Sequence, residues 1–209
     1  MHDGLKERLG QVEKRYDGKD FRAIVNQVKK DRINDDELFL QIENISRKRF
    51  GERVAFTAGV PLGNMLESVI TIAALFLVFQ INSDWVFYAA TLILMTTLHP
   101  LAHYVTGSIF GIRFTHYYLN GPARIEPTLR IDYSSYLKAS GRKRALMHAS
   151  GVIGTVMAPL IAAVIALGRG VNGVVFNLLI LFLALVVFEL MTSTKTGDLM
   201  RAGREYGLK

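Results

Sequence analysis

The chain has 209 residues, half of them apolar, with a formal net charge of +7 and no cysteine. The lack of cysteine excludes disulfides, thiolate metal sites and a cysteine nucleophile, so any metal must be held by His, Asp or Glu. The length allows one or two domains, so the distribution of apolar and basic residues along the chain has to decide the class of protein.

Residues 1–55 predict a small cytosolic helical module that precedes a membrane domain over residues 56–209. The module carries 13 basic and 11 acidic residues, close to a balance. Its clearest helix is predicted from Asp35 to Phe50, capped by Asn34 and ended by Gly51. One apolar face of that helix consists of Leu38, Ile42 and Ile45. We interpret this module as a solvated appendage resting on the membrane domain, with partner binding as the alternative.

Four long apolar blocks lie in the remaining chain. They cover about residues 62–80, 85–110, 145–167 and 171–191. Each block has few charges and is long enough, as a helix, to cross a hydrocarbon layer of about 30 Å. A soluble protein of this length would have too little polar sequence to cover four such helices. The predicted fold is therefore a membrane all-α protein with four transmembrane helices.

The basic residues predict how these helices are oriented. All 25 Lys and Arg residues except Arg169 lie in residues 1–55, in the loop 108–145 or after Thr192. The positive-inside rule then places both termini and the long loop in the cytoplasm. This pattern explains the net charge through anionic lipid headgroups, so we expect the bilayer and not nucleic acid as the partner of the basic clusters.

The loop between the second and third blocks predicts a small β-hairpin at the cytoplasmic membrane surface. Residues 112–119 alternate and are rich in aromatic and β-branched side chains. Asn120, Gly121 and Pro122 are typical of a turn. A second strand is predicted to begin at Ala123 and to end or bend at Pro127.

Two histidines in the second block predict a metal site. His99 and His103 are four residues apart, so on a helix they share a face and can bind one ion. Polar side chains within a membrane helix are costly and usually functional. Asp198, just after the fourth block, is the best candidate for a third ligand. The alternatives are Glu67, Glu189, His116 and His148.

Over about residues 90–205 the chain resembles the site-2 intramembrane zinc metalloproteases. The segments that carry the resemblance are His99-Pro-Leu-Ala-His103, Asn120-Gly-Pro-Ala-Arg-Ile-Glu126, Ala149-Ser-Gly-Val-Ile-Gly154 and Asp198-Leu-Met-Arg201. They are similar, in order, to the family's His-Glu-x-x-His helix, its membrane-surface hairpin, its small-residue helix and its Asp-containing last motif. The resemblance implies zinc held by His99, His103 and Asp198, and substrate contacts at Asn120 and Gly121.

Pro100 occupies the position of the family's general-base glutamate. That carboxylate moves the proton in peptide hydrolysis, a role worth typically about 10² to 10⁴-fold in rate. The resemblance therefore implies an intramembrane metalloprotein that binds or acts on transmembrane segments of a client protein, with lost or weakened peptidase activity. We favour binding of a client without cleavage.

Three alternatives stay open from the sequence. The first is an active zinc protease in which Glu189 or Glu67 supplies the base. The second is a haem-binding bundle in which His148 pairs with His99 or His103 across helices. The third is a transporter or scaffold in which the histidines relay protons or form hydrogen bonds.

Overall fold

The computed structural model describes residues 2–120 and 126–207 of the chain, which are mostly helical with one small antiparallel sheet. The helices are α1 His2–Lys14, α2 Gly18–Lys30, α3 Asp36–Arg53, α4 Val60–Gln80, α5 Asp84–Ile109, α6 Tyr133–Lys138, α7 Gly141–Gly168, α8 Asn172–Thr196 and α9 Asp198–Gly207. The strands are β1 Thr57–Gly59, β2 Phe114–Asn120 and β3 Glu126–Ile131.

Helices α4, α5, α7 and α8 are each long and apolar enough to cross a membrane, which is consistent with a multi-pass membrane protein. The four apolar blocks are therefore confirmed as helices. Two helices are longer than predicted, because α7 begins at Gly141 and α8 ends at Thr196. Hydropathy marks only the apolar part of a helix. The Ser140 side chain caps α7 ahead of its basic first turns and so extends it beyond the apolar block.

Helices α5 and α7 form the centre of the group of four long apolar helices and pack against each other more extensively than any other pair of elements in the described chain. Ala158, Ala162 and Ala166 on α7 are fully buried and, at a spacing of four, lie on one face. They pack in one cluster with Phe87 and Leu94 of α5. Small side chains let two membrane helices approach closely, so this alanine face sets the separation of α5 and α7.

The N-terminal module, α1 to α3, has an apolar core of its own. Its buried members are Leu5, Leu9, Val12, Phe21, Ile24, Val25, Val28, Ile33, Leu38, Phe39, Ile42 and Ile45, joined by Leu137 of α6. The predicted apolar face of α3 is confirmed. The predicted cap and end are wrong, because Asp35 and not Asn34 caps α3 and the helix continues past Gly51. An ion pair between Arg49 and Glu52, 2.6 Å long, supports that additional turn.

The predicted hairpin is part of a three-stranded sheet with the order β1, β2, β3. Strand β1, which is too short to show alternation, was not predicted; it pairs with β2 through Thr57 opposite Tyr118. Pro127 does not end the second strand but lies inside β3. An edge strand tolerates proline because one side of it needs no ladder donor. Gly121 and Pro122 of the predicted turn lie outside the described residues.

The close contact between α5 and α7 predicts that alanine substitutions at two glycines of α7 will affect stability differently. A Cβ on Gly154 would lie 2.6 Å from the backbone oxygen of Leu98, whereas a Cβ on Gly168 would meet nothing within 4 Å. We expect Gly154→Ala to lower the thermal unfolding midpoint in detergent, since overpacking costs about 1–3 kcal/mol. Gly168→Ala should leave it unchanged or raise it, because alanine favours helix. Equal midpoints for the two variants would contradict the close approach at Leu98.

Candidate metal centre

His99 and His103 lie one turn apart on α5 and face the same point. Their Nε2 atoms are 3.2 Å apart and their ring centroids 4.7 Å apart. Pro100 lies between them and is buried, yet α5 continues through it to Ile109. The proline therefore leaves the histidine pair intact, an outcome that the sequence could not decide.

Asp198 is brought to the histidines by a sharp break between α8 and α9. The break is at Gly197, where a Cβ would lie 2.8 Å from the Cα of Ser193. The Ser193 hydroxyl oxygen accepts a hydrogen bond from the backbone N–H of Leu199 at 3.1 Å and so stabilises the start of α9. Glycine is needed here because any side chain would collide with the preceding turn.

The three side chains form a group that could hold a metal ion. Asp198 Oδ2 lies 3.3 Å from His99 Nε2 and 3.1 Å from His103 Nε2. Ligand atoms about 2.0–2.1 Å from a tetrahedral zinc ion would be separated by about 3.3 Å. The group therefore has the dimensions of three corners of a zinc tetrahedron, with the fourth corner open.

The hydrogen bond of the outer ring nitrogen fixes the tautomer of His103 and indicates that of His99. His103 Nδ1 lies 2.7 Å from the carbonyl oxygen of Met147, which can only accept, so this nitrogen carries the proton. His99 Nδ1 lies 3.0 Å from the Thr155 hydroxyl, whose proton has a second acceptor 3.3 Å away in the Gly151 carbonyl oxygen. With that proton on Gly151, His99 Nδ1 donates to Thr155, and the Nε2 atoms of two neutral imidazoles keep their lone pairs.

With neutral imidazoles in these tautomers, the centre places three acceptor atoms within 3.3 Å of one another. Asp198 supplies one of these atoms through Oδ2. Its other oxygen, Oδ1, lies 3.2 Å from Arg201. A carboxylate and two imidazole lone pairs directed at one point fit a cation, and this donor set suits zinc.

Helix α7 accommodates the centre through a glycine. A Cβ on Gly151 would lie 2.2 Å from His103 Nε2. Any larger residue would push the imidazole away from Asp198. The small-residue run of α7 therefore has a local physical role, which is to let the metal-binding face of α5 lie directly against α7.

A cavity of about 210 Å³ opens beside the three ligands. Its walls come from α5, α7, α9 and the edge strand β3. They include His99, Pro100, His103, Asn120, Glu126, Thr128, Leu129, His148, Asp198 and Arg201. A molecule in this cavity would contact the open side of the ligand group and the exposed edge of the sheet at the same time.

His148 has a larger place in the site than its sequence position indicated. It is buried on α7, and its Nε2 lies 2.9 Å from the Tyr136 hydroxyl. Its Nδ1 lines the cavity side, 3.9 Å from Asp198 Oδ1. The sequence offered it only as an alternative metal ligand or as a haem ligand, because nothing in the order of residues shows that α6 and α9 enclose it.

The other predicted site residues are dispersed. Glu67 is buried on α4, Glu189 lies on α8, and His116 on β2 stacks with Phe50. Among the described residues, none of these three belongs to the ligand group or lines the cavity. Asn120 does line it, whereas Gly121 lies outside the described residues.

Comparison of the chain with protein-family models, with curated proteins and with solved structures gave no significant match.

Removal of a ligand should abolish metal binding. We expect purified protein to hold one zinc per chain by elemental analysis, and His103→Ala or Asp198→Ala to lower affinity beyond the roughly 10–100-fold typical of losing a group that only orients a ligand. His116→Ala is the matched control, since this histidine lies outside the group. Zinc retained by both ligand variants would rule out this centre.

Thr155→Val should weaken metal binding while all three ligands remain. Valine has the shape of threonine but cannot hold the Nδ1 proton of His99, so we expect about a 10-fold rise in the metal dissociation constant. Thr192→Val removes a hydroxyl that bonds only the carbonyl of Phe188 on α8, and it should bind metal as the wild type does. Unchanged affinity in Thr155→Val would argue against the tautomer assignment.

Proposed function

We propose that this chain is a zinc-dependent membrane hydrolase of the site-2 protease type, which binds polypeptide segments at the membrane surface and cleaves them slowly. The observation that carries the proposal is the three-acceptor group at the floor of a cavity bordered by an edge strand. Three protein ligands with a free fourth position are typical of catalytic zinc, whereas structural zinc sites are usually closed by four.

His99, His103 and Asp198 would hold the zinc. Zinc in such a site polarises a carbonyl and lowers the pKa of water enough for it to attack at neutral pH. Everything else that hydrolysis requires must come from the chain itself: a way to hold an extended peptide, and a group that takes up and returns a proton.

The edge strand β3 is the natural place for the peptide. Among the described strands it pairs with β2 alone, and it lines the cavity through Glu126, Thr128 and Leu129. An extended segment that adds to this edge gains main-chain hydrogen bonds and passes beside the ligand group. A transmembrane helix would have to unwind to bind there, so helices interrupted by small or polar residues are the expected clients.

Pro100 cannot accept a proton, and the cavity offers His148 in its place. Burial, with the Glu205 carboxylate close by, raises the pKa of the Tyr136 hydroxyl well above its usual value, so the phenol stays neutral. Its oxygen lies 2.9 Å from His148 Nε2 and, in the proposed arrangement, accepts the proton of that nitrogen, which leaves the lone pair of Nδ1 free to take up a proton.

The hydrolytic step follows from this arrangement. A water molecule attacks the scissile carbonyl carbon, and His148 Nδ1 accepts the proton that this water loses. The carbon–nitrogen bond breaks, and the same proton passes from Nδ1 to the leaving amine. We expect slow turnover because Pro100 removes the carboxylate next to the first ligand, and binding of a client without cleavage is the competing outcome.

We further propose that the sheet, α9 and the N-terminal module face the cytoplasm. All Lys and Arg residues of the described chain except Arg169 belong to segments at the end of the membrane domain that carries these elements. The positive-inside rule supports this orientation, and it would place the cavity at the cytoplasmic membrane surface.

The test is cleavage of a quenched-fluorescence peptide with one apolar span interrupted by Asn-Gly, reconstituted in liposomes with the purified protein. We expect a slow signal that disappears on zinc chelation. His148→Gln should lower kcat by about 10²-fold with zinc content retained, as for the loss of a proton-transfer group. Glu189→Gln should match the wild type.

Two outcomes would overturn parts of this proposal. If the peptide cross-links to the wild-type protein but is never cut, the protein binds clients and is not a hydrolase. If Glu189→Gln is inactive while His148→Gln is active, the base is Glu189 and the assignment to His148 is wrong.

A further inference from the structure

The N-terminal module is joined to the helix that carries a metal ligand by a buried ion pair. Lys29 on α2 contacts Glu205 on α9, with Nζ and Oε1 2.5 Å apart. The two side chains are only 9% and 5% exposed. A pair this well shielded from solvent is unlike the exposed surface pairs, whose contribution to stability is small.

Glu205 also contacts a residue of the membrane domain. Its Oε2 lies 2.5 Å from Arg144 Nε on α7, and Arg144 also donates to the carbonyl of Ala139 at 2.5 Å. The Glu205 carboxylate thus links three helices: α2 of the N-terminal module, α7 of the membrane domain, and α9. Without Lys29, Glu205 would keep Arg144 as its cationic partner but lose its charged link to α2, so a buried carboxylate would be only partly compensated.

The position of Glu205 on α9 connects this link to the metal centre. Glu205 is seven residues after Asp198, two helical turns or about 10 Å along the same short helix. Gly197 breaks the chain just before α9, so α9 is not a rigid continuation of α8. The direction of Asp198 therefore depends on contacts along α9, and Glu205 supplies its buried charged contacts.

A second buried ion pair joins the module to the other wall of the cavity. Glu43 on α3 lies 2.8 Å from Arg130 on β3, and it also accepts the backbone N–H of Tyr133 at 2.9 Å. The module consequently holds both α9, which bears the ligand, and β3, which borders the cavity. A solvated appendage would not need buried ion pairs to both of these elements.

We propose that the N-terminal module controls the metal centre, with Lys29 acting through Glu205 as the positioning contact for Asp198. When α2 is docked, α9 is held in the orientation that completes the ligand group. When the contact is lost, Asp198 moves away from the histidines and metal affinity falls. This inference rests on the proposed metal function of His99, His103 and Asp198.

The experiment measures metal affinity directly and needs no substrate. The full chain in detergent is titrated with Co²⁺, whose visible absorption reports four-coordinate binding. Lys29→Met should raise the dissociation constant by about 10-fold and weaken the tetrahedral absorption, as expected when a group that orients a ligand is lost. Lys29→Arg, which keeps the charge and a donor, should restore most of the affinity.

The chain offers a matched control. Lys138 on α6 and Asp36 on α3 form a 2.8 Å ion pair that also joins the module to the rest of the chain, but both side chains are more than half exposed. Lys138→Met should therefore bind Co²⁺ as the wild type does. Circular dichroism and the unfolding midpoint of each variant establish that affinity is measured on folded protein. Lys29→Gln, whose amide keeps one hydrogen bond, is the milder variant if Lys29→Met does not fold.

The outcomes separate the two proposals. Wild-type protein that binds no Co²⁺ overturns the metal centre and the control mechanism together. Wild-type binding with unchanged affinity in the folded Lys29 variant overturns the control mechanism alone. An equal loss of affinity in Lys138→Met also overturns it, because the effect would then belong to module docking in general and not to the contact with Glu205.

Discussion

Two imidazole nitrogens and one carboxylate oxygen face one another in a partly buried site, 3.1 to 3.3 Å apart. The outer ring nitrogens of His103 and His99 are hydrogen-bonded to Met147 and Thr155. With neutral imidazoles the three inner atoms are all acceptors that repel one another, so the group could hold a cation. The packing of α5, α7 and α9 holds these atoms together.

Particular residues of the three helices make that packing possible. Gly151 lets α7 pass against the imidazole of His103, and Gly197 lets the chain turn so that Asp198 points back to α5. Pro100, which looks disruptive, is tolerated within a continuous helix. The centre is therefore a property of three helices in contact and cannot be assigned to the histidine helix alone.

The geometry of the site also bears on the general-base glutamate, whose position Pro100 occupies in this chain. Proton transfer in a site depends on which groups surround the reacting atoms, and that is decided by folding. His148 comes from a different helix than His99 and His103, and it is hydrogen-bonded to Tyr136 from yet another. The N-terminal module extends this dependence, since Lys29 and Glu43 connect it to α9 and β3, which both line the cavity.

The sequence by itself determined the four apolar helices and the histidine pair, because hydropathy and helical periodicity are local properties. It offered Asp198 as the best of several candidates for the third partner, and the structure brought that residue to the pair. It misplaced the cap of α3 and the effect of Pro127, and it overlooked β1, because caps and edges depend on neighbours. Only the tertiary structure decided that Pro100 preserves the pair, that His148 lines the cavity, and that Lys29 reaches α9. Those contacts join residues far apart in the chain, and no local pattern encodes their meeting.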